Sequence, residues 1–142
     1  MKEDYGTLQE IMEGIDYQYN VVSFREFPES PLARASYMLY ENFESYPAAR
    51  STGKYFCGYL YICDLLTIDL IMKKDNCISK QFLPQIKKAL KAVLDHSDEI
   101  PLESDEWTVM TDVAKRVQEN LPKLKIVPKW RERKFLSYYN KA

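Results

Sequence analysis

Residues 55–72, YFCGYLYICDLLTIDLIM, form an eighteen-residue run that carries only two charges, Asp64 and Asp69. A run this long and this apolar has two stable homes: the hydrocarbon of a bilayer or the centre of a folded core. The two aspartates decide between them, because each costs roughly 2.5–3.5 kcal/mol near the middle of a membrane span. The flanking segments are amphipathic, which points the same way. The run is therefore expected as the central helix of a helical bundle, buried on nearly every side, with no membrane insertion. On a helical wheel Asp64 and Asp69 point about 140° apart, so they are not a pair on one face. Each needs an internal partner, such as Arg34, Arg50 or a tyrosine hydroxyl, or else faces a groove or a partner protein.

The neighbouring segments supply the rest of a bundle. Thr7 and Glu10 have the spacing of a capping box, which predicts a short helix stopping near Gly14. Ile15, Tyr17, Tyr19 and Val21 then alternate with polar residues, so residues 15–24 read as a short strand or an extended arm. Ser30 and Pro31 open a helix that ends before Pro47. The central helix starts at Ser51 or Thr52 and runs to about Lys74, with Asn76 as a left-handed stop. Ser79 caps the next helix, whose apolar face is Phe82, Leu83, Ile86, Leu90, Val93 and Leu94 and whose wet face is Lys80, Lys87, Lys88 and Lys91. Pro84 falls in its first turn, where proline is tolerated. Ser104, followed by Asp105 and Glu106, opens a last helix with a stripe of Trp107, Met110, Val113, Ala114, Val117 and Leu121, stopped by Pro122. The expected fold is mainly α: one domain over residues 1–142, a bundle of four to five helices, with residues 123–142 a basic, aromatic C-terminal segment. Only four glycines in the chain argue against a turn-rich β architecture.

The formal net charge of −1 conceals blocks of alternating sign. Residues 1–46 are acidic, 47–94 basic, 95–121 acidic and 122–142 basic. The sharpest block is DHSDEIPLESDEWTVMTD, residues 95–112, with seven carboxylates and no lysine or arginine. Such a surface repels nucleic acid and suits a basic protein. Tyrosine is the other excess, eleven in all with six between Tyr37 and Tyr61. Its rigid, amphipathic ring is enriched at protein interfaces.

Several chemistries find no footing. Cys57, Cys63 and Cys77 match no zinc spacing, and His96 is the single histidine. His96 falls near a helix C-terminus, where an imidazole meets the helix dipole favourably. No G-x-S-x-G elbow or Gly-rich phosphate loop is present. Free cysteines and an acidic start without an apolar leader predict a cytoplasmic protein. Glu10 with Glu13, and Glu41 with Glu44, resemble the E-x-x-E pairs with which all-α nucleotide pyrophosphohydrolases of the MazG type hold magnesium. The second pair of that pattern is replaced here by Tyr61 and Asp64.

A small, acidic-faced helical chain without catalytic motifs resembles in kind the bacterial immunity proteins that block a cognate toxin. The resemblance implies a non-catalytic inhibitor without a cofactor, covering the basic site of a nuclease-type toxin domain. Its contact residues are expected among Asp98, Glu99, Glu103, Asp105 and Glu106, with Tyr59, Asp64 and Asp69 on the central helix. Two other classes remain: a nucleic-acid-binding regulator using the basic tail around Trp130, Phe135, Tyr138 and Tyr139, and a carboxylate–metal enzyme using Glu41, Glu44 and Asp64.

Overall fold

Four α-helices surround one core in a computed structural model that describes residues 8–23, 56–74, 76–78 and 80–126. They are α1 (Leu8–Tyr17), α2 (Phe56–Lys74), α3 (Leu83–Leu94) and α4 (Ser104–Asn120). A π-helical segment, Gln18–Ser23, prolongs α1, and 3-10 turns at Lys80–Phe82 and Leu121–Lys123 lead into α3 and out of α4. The expected helix over residues 30–46, the caps at Thr7 and Ser79 and the tail beyond residue 126 lie outside the described residues.

The apolar run is the centre of the molecule. Ile62, Leu65, Ile68 and Ile71 have no exposed surface, and Tyr59, Cys63, Leu66 and Thr67 are buried on the other sides of the same helix. Around α2, the other helices each contribute a stripe. From α1 come Leu8, Ile11 and Ile15; from α3, Ile86, Ala89, Leu90 and Val93; from α4, Met110, Val113, Ala114 and Val117. α2 packs on all three, and α3 packs on α4. Each fully buried isoleucine or leucine stabilises this arrangement by about 1.5–3 kcal/mol. Thr67 fits the dry interior because its hydroxyl donates to the Cys63 carbonyl one turn back, at 2.7 Å.

The ends of these helices have identifiable stops. Asn76 takes the left-handed conformation (φ 55°), and its N–H closes onto the Ile71 carbonyl at 2.8 Å. β1 (Cys77–Ile78) then pairs in parallel with β2 (Lys125–Ile126), Cys77 opposite Lys125 and Ile78 opposite Ile126. This pairing ties the exit of α2 to the exit of α4 and docks the first residues of the basic tail, with Leu124 buried beside it. At the end of α3, the N–H of Ser97 reaches the Ala92 carbonyl (2.9 Å) and that of His96 the Val93 carbonyl (3.1 Å). That is a Schellman cap, with His96 at φ 51° in the position where glycine is the usual residue.

Two expectations about the elements need correction. Residues 15–23 are helical, not a strand or an arm, and Gly14 does not stop α1. The same residues satisfy two periods: Ile15, Tyr17 and Tyr19 alternate, but Leu8, Ile11, Ile15 and Tyr19 recur every three to four. The second set has α2 to pack on, whereas a lone strand would leave its backbone unpaired. Tyr17, which a strand would bury beside Ile15 and Tyr19, is 58% exposed. α3 itself begins at Leu83, after the 3-10 turn, and Pro84 sits in its first turn as expected. Finally, Ser104 is already helical and Glu103 occupies the cap position of α4.

Candidate functional site

The acidic block becomes one continuous feature: the turn from Asp95 to Glu103 and the first two turns of α4. Its backbone is fixed from three directions. Gly58 of α2 lies directly under the turn, so that a Cβ there would stand 2.7 Å from the Glu99 carbonyl carbon, closer still to its oxygen, and 3.0 Å from the Ile100 Cα. Only a residue without a side chain allows α2 and the turn to meet this closely. Ile100, buried beside that contact, anchors the turn in the core.

The second attachment is the start of α4. Glu103 and Glu106 form a capping box. Glu106 Oε1 accepts the Glu103 N–H at 2.9 Å, and Asp105 Oδ1 accepts the Glu106 N–H at 3.0 Å. Glu106 Oε2 also accepts the Leu8 N–H at 3.4 Å. One carboxylate thus serves the positive ends of two helices, α1 and α4, where negative charge is favoured. The third attachment is aromatic. The His96 ring stacks on Trp107 with centroids 4.3 Å apart and planes within 10°, and its Nε2 lies 3.3 Å from Thr111 Oγ1. This joins the end of α3 to α4.

Of the expected contact residues, Asp98, Glu99, Glu103 and Asp105 are exposed together on this face, with Asp95 and Asp112 at its margins. Asp95 is held by Lys91 at 2.9 Å. Glu106 is half-buried, and its carboxylate is engaged in the capping just described, so its part is to shape the face. The spacing Glu103-x-x-Glu106 signals that role, and reading Ser104 as the cap obscured it.

Tyr59, Asp64 and Asp69, expected to contact a partner from the central helix, are interior. They are 2%, 3% and 7% exposed. Asp69 is clasped by Arg116, Nε to Oδ1 at 3.2 Å and Nη2 to Oδ2 at 3.0 Å, with Lys73 Nζ at 3.3 Å. The hydrogen bond from Arg116 to Asp69 holds the guanidinium pKa above its ordinary value. Asp64 accepts from Gln85 Nε2 at 3.0 Å. Burial pushes its carboxyl up to about 7, against the smaller opposing effect of the Gln85 bond. Burial, and then the neighbouring Asp64 charge, also raise the Cys63 thiol well above its ordinary range. The partners are thus Arg116, Lys73 and Gln85; Arg34 and Arg50 lie outside the described residues. No spacing rule links Asp69 to a residue 47 positions on, which is why Arg116 could not be read in advance.

For the metal-site alternative, no three His, Cys, Asp or Glu among the described residues stand close enough to hold an ion. Glu10 and Glu13 are exposed on α1, and Glu41 and Glu44 lie outside the described residues. None of the described helices is long and apolar enough to cross a membrane. Chemically, the acidic face can attract and orient cationic groups. Comparison with protein-family models, with characterised proteins and with solved structures finds no match.

Proposed function

We propose that this chain is a non-catalytic binding protein of the immunity type, whose acidic face covers the basic site of a toxin domain, such as a nuclease. The observation that carries the reading is the exposure of Asp98, Glu99, Glu103 and Asp105 on a backbone held by α2, by the capping box and by the His96–Trp107 stack. Charges on a rigid frame lose little entropy on binding and steer a basic partner before contact. Nucleic acid is disfavoured at this face for the same electrostatic reason.

The test starts with a pull-down from the native host in about 0.1 M salt, where surface charges act over roughly 10 Å. A basic protein should be captured stoichiometrically. It should be lost when Asp98, Glu99 and Asp105 are each changed to Lys. The captured protein, once purified, should lose its own activity on adding the chain. Capture of nucleic acid alone, or capture indifferent to the three reversals, would contradict the proposal.

A further inference from the structure

Beside the exposed carboxylates lies a shallow depression of about 440 Å³, lined by His96, Ser104, Trp107, Thr108, Thr111 and Asp112. Five of these residues lie on one face of α4, at the spacing of successive turns. Trp107 is half-buried and covers one face of the His96 imidazole. His96 is exposed, and Trp107 stacks on one face of its ring only. Three hydroxyls and one carboxylate complete the lining, which holds no lysine or arginine among the described residues. Asp112 makes no hydrogen bond or ion pair among the described residues. Arg116, one turn on, feels its charge, but that guanidinium is engaged with Asp69.

We propose that this depression seats one arginine side chain of a basic partner, its guanidinium laid on the face of His96 that Trp107 does not cover and paired with Asp112. The proposal rests on the binding reading above and names what the face grips. Charge selects a cation: the depression opens within a segment of seven carboxylates that has no lysine or arginine. Shape and chemistry select arginine over lysine. A guanidinium is planar, stacks on a flat ring and offers a fork of donors to a carboxylate and to hydroxyls such as those of Ser104 and Thr108. A lysine ammonium is compact and strongly hydrated, and matches neither the flat ring nor the spread of acceptors.

The experiment is a ¹H–¹⁵N NMR titration of the full chain with N-acetyl-arginine amide and, separately, N-acetyl-lysine amide at millimolar concentration. Shifts should centre on the Trp107 indole and on the amides of Thr108, Thr111 and Asp112, and arginine should saturate at a several-fold lower concentration. Asp112→Asn should weaken the arginine probe by about tenfold. Glu119→Gln, exposed farther along α4, should leave it unchanged. An equal response to both probes, a response spread over the whole acidic segment, or none at these signals would overturn the seat. Failure of the seat leaves the binding reading intact if charge reversal still releases the partner. Arginine binding that persists with no partner captured would have the opposite meaning.

Discussion

Gly58→Ala probes the joint on which the acidic face depends. In a helix the change is ordinarily favourable, by about 0.5–1 kcal/mol, because alanine restricts the unfolded chain. Here the added methyl meets backbone, not a side chain that could swing away. It would lie 2.7 Å from the Glu99 carbonyl carbon and 3.0 Å from the Ile100 Cα. Relaxed carbon contacts need about 3.5 Å or more, so the turn must retreat by roughly 1 Å. Ile100, at 3% exposure, would be drawn from its place in the core. Overpacking of this kind typically costs 1–3 kcal/mol, so after the helix gain a net loss of about 1–2 kcal/mol is expected. At roughly 2.1 cal/mol/K per residue for 142 residues, that lowers Tm by about 3–7 °C. Thermal melting followed by circular dichroism reads the loss, and amide shifts should change most over residues 97–101. An unchanged or higher Tm would refute the close seam between α2 and the turn, because only the helix-propensity gain would then remain.

Other perturbations test the interior. Asp64 carries a carboxyl raised from 3.8 to about 7, so the folded chain holds a proton that the unfolded chain has already released. Its contribution to stability is therefore best at low pH, falls as pH rises through 4 to 7, and is flat above, a loss of up to about 4 kcal/mol. Asp64→Asn should flatten that slope in urea titrations and stabilise the protein at pH 8; a less stable variant there would contradict the burial argument. Arg116→Ala leaves buried Asp69 with Lys73 alone and should cost about 1.5–3 kcal/mol, the worth of hydrogen bonds to a charged group; a loss under about 0.5 kcal/mol in denaturant melts would mean the clasp is not maintained in solution. His96→Gly relieves a left-handed non-glycine residue, worth about 1 kcal/mol, but forfeits a ring stack of about 0.5–1.5 kcal/mol. Its melt should stay within about 1 kcal/mol of the parent, while His96→Ala, which keeps the strain and loses the stack, should be clearly less stable; equal melts for the two would show that the left-handed conformation is not imposed.

What could be read from the chain followed from local pattern. The central helix was legible because two charges in eighteen apolar residues leave few alternatives, and α3 and α4 because their stripes recur at helical spacing. The left-handed stop at Asn76 was legible from residue type. The segment after Gly14 was misread because alternation and helical spacing share Ile15 and Tyr19; only the presence of α2 as a packing surface decides. Glu106 was read as a contact residue because its second partner, the Leu8 amide, is 98 positions away. Gly58 carried no warning, since a glycine inside an apolar run does not announce which backbone will cross it. The exposed quartet Asp98, Glu99, Glu103 and Asp105 was legible because a loop rich in carboxylates and a helix N-terminus both keep charge in water. Tyr59, Asp64 and Asp69 were placed among the contact residues although their run reads as buried on nearly every side; of the two readings open for the aspartates, the internal partner is the one found, in Gln85 and Arg116.

The central claim is that the acidic face grips a basic protein. Its most direct measurement is the dissociation constant of the chain with its captured partner, for the parent and for the variant carrying Asp98→Lys, Glu99→Lys and Asp105→Lys, at low and at physiological salt. Each site is exposed, and losing the Asp105 bond to the Glu106 N–H leaves the Glu103–Glu106 capping box in place, so the variant should retain the parent's circular dichroism. The account predicts at least a hundredfold weaker binding for the variant, about 2.8 kcal/mol, and a parent association rate that falls steeply as salt rises. Equal affinities, or a rate indifferent to salt, would contradict it and move the binding site elsewhere on the molecule.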